Sequence, residues 1–181
     1  QACYALANAH AHGVFHRDIK PENVLVGQYG EVYLVDWGVA KIWGMPNEER
    51  TPEQKERAEN LTATGQRPGT PLYMAPEQII GNYYVDNRAD VWSIGVMLYE
   101  LLCLEVPFKG RTIHETFDQI IHETPVLPSA RKPRHPRRVI PSELELIAMR
   151  AMSKKPADRP ANISELIDLL RSFRNQKLLI S

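Results

Sequence analysis

The chain has 181 residues, with 22 basic and 22 acidic side chains, so its formal net charge is zero. That balance excludes a global electrostatic pull toward nucleic acid or an anionic membrane surface. Apolar residues make up 43% and charged residues 24%, the composition of one globular domain able to bury roughly 70% of its unfolded surface.

Residues 1–13 read as a helix with Leu6 and Ala9 on one face and Gly13 free to take a left-handed stop. Pro21 excludes a helix over His16-Arg17-Asp18-Ile19-Lys20-Pro21-Glu22-Asn23; this stretch suits a rigid loop that points several polar groups at one centre. Two apolar runs, 24–26 and 32–35, with Gly27 and Gly30 at the turn, predict a short hairpin that delivers Asp36. The segment 36–77 is 42 residues long, and loops of that length are functional or disordered. Its middle, 47–60, carries charge and no apolar side chain but Ala58, so it reads as a mobile insert or a solvated short helix.

Residues 75–80 predict a short helix. Asp86 or Asn87 can cap the next one, over 88–104. Its apolar residues go nearly all round, which marks a buried element. Gly95 in its middle costs about 1 kcal/mol against Ala, so close packing is expected there. The apolar stretch 91–104 is interrupted by Glu100 and is too short to span a bilayer. Thr112 and Glu115 form a capping box that opens a helix to about His122. The Pro-rich stretch 123–140 holds Arg131, Lys132, Arg134, Arg137 and Arg138, a solvated loop or a dock for an acidic partner. A helix over 142–153 follows. Asn162 and Glu165 start the last helix, which runs to about Phe173. Cys3 and Cys103, both in predicted helices, make no disulfide framework and fit a reducing compartment. The fold class is mainly α: a helical bundle around a buried central helix, with a short β-hairpin carrying a metal-binding Asp.

The polar residues of the loop and hairpin suit phosphoryl transfer, in which metal ions neutralise charge and an attacking hydroxyl must be oriented and lose a proton. Asn23 and Asp36 supply oxygen ligands for Mg²⁺, a hard cation. Asp18 can accept the hydroxyl proton, and Lys20 can lie beside the moving phosphate.

HRDIKPEN (16–23) followed by Asp36-Trp37-Gly38 resembles the catalytic loop and the metal-binding motif of the protein kinases. GTPLYMAPE (69–77) is similar to the end of a kinase activation segment. DVWS (90–93) resembles the start of the central helix of the family's C-terminal lobe, and Asp158-Arg159-Pro160 its late arginine motif. Lys20, Pro21 and residues 69–73 resemble Ser/Thr kinases, and Thr62 and Thr64 resemble the paired threonines of bacterial eukaryotic-like enzymes.

The resemblance implies a protein-kinase-like C-terminal lobe over 1–174, with 36–77 as activation segment and 175–181 as a tail. It implies ATP and Mg²⁺ as cofactors and Ser/Thr-bearing proteins as substrates. It assigns catalysis to Asp18, Lys20, Asn23 and Thr70, and nucleotide contact to Lys20, Glu22, Asn23, Leu25 and Asp36, with Leu25 as the floor of the adenine pocket. Asn23 and Asp36 would hold the metal. Arg17 would receive a phosphate carried on Thr62 or Thr64. His16, Glu77, Asp90 and Arg159 would act structurally, Glu77 with Arg159 as a buried ion pair. Trp37 departs from the family's usual Phe, and its ring is expected beneath a helix of the N-terminal lobe. No G-x-G-x-x-G and no V-A-I-K run occurs in the 181 residues, so the lid over ATP is expected in an upstream N-terminal lobe, this lobe's partner, and the chain alone is expected to be inactive. It opens at Gln1 inside a helical pattern, with the domain expected to begin earlier. A cytoplasmic domain without nucleic-acid partners, and without a membrane segment in this stretch, is expected. The alternatives are a pseudokinase scaffold and a small-molecule phosphotransferase of the aminoglycoside type. The intact Asp18, Lys20, Asn23 and Asp36 argue against the first, and the 75–77 and 90–93 motifs against the second.

Overall fold

Local sequence sets most helix boundaries. The computed structural model describes residues 1–38, 41–42, 71–81, 85–131 and 139–178. Helix α1 spans Ala2–Ala11, and Gly13, at φ +73°, turns the chain into β1 (Val14–Phe15). A 3-10 turn at Pro21–Asn23 leads into β2 (Val24–Val26), which pairs antiparallel with β3 (Val32–Leu34), Val24 opposite Leu34. β4 (Lys41–Ile42) returns to pair with β1. The rest is helical: α2 (Pro76–Ile80), α3 (Arg88–Cys103), α4 (Ile113–His122), α5 (Ser142–Ala151) and α6 (Ile163–Leu178).

Of the two cap candidates for α3, Asp86 takes the role. Its carboxylate accepts from Arg88 N at 2.9 Å, while Asn87 donates to Ala161 O. At α4 the Thr112 hydroxyl accepts from Glu115 N at 3.1 Å, but the Glu115 carboxylate reaches back to Arg111 N rather than to Thr112 N. Asn162 and Glu165 repeat that arrangement, with Ala161 N as the far donor. Helix α5 ends at Ala151, two residues short of the expected 153, with Met152 as its C-cap. Helix α6 runs past the expected end at 173. Nothing in 174–178 breaks a helix, and Lys177 reaches back over the Phe173 ring one turn earlier.

The core is built on α3. Trp92, Val96 and Tyr99 join Phe108, Ile120 and Met152 on one side; Val91 and Ile94 join Leu6, Ile19, Ile163 and Leu166 on the other. The close packing expected at Gly95 is present: a Cβ there would lie 2.7 Å from the Ala151 Cβ and 3.0 Å from Met152 Cγ. Arg131, the one described residue of the basic run, is tied inward, donating to Tyr99 Oη at 2.9 Å and to Pro107 O at 3.0 Å. Residues 132–138 and the charged stretch 47–60 lie outside the described residues. Among the described residues no helix is long and apolar enough to cross a membrane.

Candidate active site

The loop before β2 takes its shape from one carboxylate on the central helix. Asp90, in the first turn of α3, is fully buried. Its Oδ1 accepts from Arg17 N at 2.7 Å, and its Oδ2 accepts from His16 N at 2.9 Å and from His10 Nε2 at 2.8 Å. These contacts satisfy a buried charge that would otherwise be costly. They also hold Arg17 at φ +66°, a left-handed conformation unfavourable for a residue with a side chain.

His16 links the loop to the hairpin. Its Nδ1 accepts from Asp18 N at 3.3 Å, which leaves the proton on Nε2 to be donated to Val35 O at 3.0 Å. The ring is buried and lies 4.5 Å, centroid to centroid, from Trp37. The Trp37 indole donates to Leu34 O and packs on the cluster around Leu6 and Ile19. One side of the larger ring is thus seated on His16 and the cluster below it, and the ring remains partly exposed.

Asp18, Lys20 and Asn23 are brought together. The Asp18 Oδ2 accepts from Lys20 Nζ at 2.6 Å and from Asn23 Nδ2 at 3.2 Å; the same Nδ2 donates to Asp18 O at 2.8 Å. Asn23 is buried, while the Asp18 side chain keeps 35% of its surface and Lys20 14%. The carboxylate is thus held from one side and open on another. Asn23 O accepts from Val35 N at 2.9 Å, so the hairpin register sets Asn23 across from the residue before Asp36. Asp36 itself sits at φ +63°, which Asp tolerates better than most side chains. With Nδ2 of Asn23 engaged by Asp18, its Oδ1 is left to coordinate, and no described residue donates to the Asp36 carboxylate. Two such oxygens fit a hard divalent cation. Leu25 lies on β2 with 51% of its surface exposed.

A second wall comes from the chain before and within α2. Glu77 and Arg159 form a buried bidentate pair at 2.7 and 2.8 Å. The Arg159 guanidinium also donates to the carbonyls of Ser153, Lys154 and Arg88. The Gln78 amide donates to Arg17 O at 2.9 Å, which joins this wall to the loop. Tyr73 donates to Glu100 at 2.6 Å. Burial, with help from that bond and from the charges of Glu100 and Glu22, pushes the Tyr73 hydroxyl well above its ordinary range, so it remains a donor. The Arg17 guanidinium donates to Val85 O at 2.8 Å, and its Nε is buried with no partner among the described residues. Burial lowers this guanidinium below its ordinary value, against the opposing charge of Asp90. Thr62, Thr64 and Thr70 lie outside the described residues.

His10, Gln78, Tyr73 and Glu100 were not legible as site residues. Their partners are 27 to 80 positions away, and neither spacing nor residue type marks them locally.

The protein kinase domain family matches residues 1–170. Among curated proteins, the chain is 37% identical to the Ser/Thr-protein kinase PknD of Protochlamydia amoebophila over 94% of its own length and 17% of that protein's. It is 37% identical to the Ser/Thr-protein kinase pkn3 of Myxococcus xanthus, over 90% of the chain and 28% of the relative. It is 34% identical to PknB of Mycolicibacterium smegmatis, over 97% and 25%. The chain therefore spans between 17% and 28% of the length of these relatives. With the loop, the hairpin and the Glu77–Arg159 pair all lying inside the matched residues, the chain belongs to the protein kinase family.

Proposed function

We propose that the chain is the C-terminal lobe, residues 1–174, of an ATP- and Mg²⁺-dependent Ser/Thr protein kinase of the bacterial eukaryotic-like kind, working on the cytoplasmic side. The observation that carries this reading is the Asp18–Lys20–Asn23 cluster. One carboxylate is fixed in place by a lysine and an amide and is still open to a substrate. A Ser or Thr hydroxyl placed at Asp18 gives up its proton to the carboxylate as its oxygen bonds to the γ-phosphorus of ATP and the bond to ADP breaks. Lys20, beside Asp18, offers its ammonium to the moving phosphoryl group. Asn23 and Asp36 would hold Mg²⁺, which when bound offsets the negative charge of the phosphate oxygens. Leu25 would face the adenine and Glu22 the nucleotide side of the loop. Thr70 would hydrogen-bond near Asp18 and Lys20. The Nε of Arg17, with no partner among the described residues, supports a docking role for a phosphate on Thr64 or Thr62, which adds about −1.5 to −2 charge.

Transfer of the γ-phosphate of ATP to protein Ser and Thr, followed with labelled ATP in the full-length enzyme, tests the reading. Asp18→Asn is expected to lower kcat at least about 10²-fold, the scale of a lost general base. Turnover within a few-fold of the wild type in that variant would remove Asp18 from the role.

A further inference from the structure

Lys154 stands between α5 and the turn at Pro156–Asp158, and the loop chemistry does not use it. Its Nζ donates to Ile120 O at 2.5 Å and to Gln119 O at 3.3 Å, carbonyls of the last turn of α4. The same nitrogen lies 4.0 Å from the centroid of the Phe108 ring and 5.2 Å from that of Trp92. Those two rings are parallel within 5° and 6.3 Å apart. The Arg159 guanidinium lies 5.0 Å from the Trp92 ring and reaches on to Glu77, next to Gln78. A single short loop, 153–159, thus grips α4 through Lys154 and α2 through Arg159, with Trp92 between the two cations.

The position of α4 matters because of what it touches. It packs against Pro71–Tyr73 and α2, and α2 in turn holds the carbonyl of Arg17, next to Asp18. Through Pro71–Tyr73 and α2, α4 is thus linked to the residue beside Asp18. We propose that Lys154 is a positioning residue for the protein substrate: by tying the last turn of α4 to the Phe108–Trp92 pair, it fixes α4 as the outer wall of the substrate-docking surface. This rests on the kinase reading above.

Burial pulls the Lys154 amine down to about 8, with Arg159 acting the same way and Glu123 opposing. The carbonyls and ring faces favour the ammonium instead. Two donors are enough for two carbonyls, so the tie holds in either protonation state.

The test uses the full-length kinase, with its own Asp18→Asn copy as the protein substrate. Lys154→Met keeps the length of the side chain and removes the donors. It is expected to raise KM for the protein substrate about tenfold, given the size of helix-terminus and cation–π effects. KM for ATP and kcat at saturation stay within about twofold, and hydrogen exchange at the 119–123 amides quickens. Lys154→Arg, which retains donors and charge, restores KM. Should Lys154→Met fail to fold, Lys154→Gln, too short to reach both carbonyls, is expected to show the same split. An unchanged protein KM, or a fall in kcat alone, overturns the proposal. Failure of the kinase reading is distinguishable, because the wild type itself would then transfer no phosphate.

Discussion

Asp36 is the residue whose charge and backbone make separate demands. At φ +63° an Ala in its place would add backbone strain to the loss of the carboxylate. Asp36→Asn separates the two, because Asn accepts the left-handed conformation. That variant is expected to abolish Mg·ATP-dependent transfer while its melting temperature stays within a few degrees of wild type. A collapse in melting would make Asp36 a structural residue. Lys154 gives a pH prediction of defined sign. In the folded chain its proton is lost at about 8, against about 10.4 in an unfolded chain. Between those values the unfolded state binds more protons, so this group makes stability rise with pH. The stability difference between wild type and Lys154→Met, measured by urea unfolding from pH 7 to 10.5, should therefore shift in favour of wild type across that window. A flat difference would show that the amine keeps its ordinary value.

At the scale of the element, α3 was readable from the sequence because its apolar residues go all round it, and the close contact at Gly95 followed from the cost of a mid-helix glycine. The structure gives that cost its reason, since the backbones of α3 and the end of α5 approach where a Cβ would collide. Gly95→Val is expected to destabilise the domain by at least about 2 kcal/mol through overpacking, read as a lower urea midpoint at unchanged slope. Glu77→Ala would leave Arg159 buried without its carboxylate and should cost about 3–5 kcal/mol. A loss under about 1 kcal/mol would mean that the carbonyls of Ser153, Lys154 and Arg88 suffice for Arg159. The hairpin and the caps were legible because they are local: a turn between two apolar runs, a Thr or Asn three residues before a Glu. Helix ends were less so. The last helix outran its apolar pattern because its final turn needs no buried face, and the choice of Asp86 over Asn87 depended on Ala161, far along the chain.

For the whole molecule, the limit of sequence reading is reach. Asp18, Asn23 and Asp36 stand out because their types and spacing state a chemistry. His10, Gln78 and Lys154 do not, because each matters only through a partner that the fold supplies. Among the described residues the hairpin also shows a bare apolar face: Leu25 is 51% exposed and Tyr33, its cross-strand partner, 56%. A nucleotide base against that face would be covered on one side only. Calorimetry of the 181-residue chain with Mg·ATP is therefore expected to show very weak binding or none, and micromolar affinity would place the whole nucleotide site inside it.

Asp90 collects donors from His10, His16 and Arg17 across 73 to 80 positions of chain. During synthesis at about 5–20 residues per second, the loop leaves the ribosome roughly 4–15 s before the carboxylate that shapes it. Over that interval Arg17 has no reason to adopt its left-handed backbone, and Asp18 is not yet aimed. The loop can therefore acquire its shape only once the first turn of the central helix has been made, and its folding is tied to that of α3.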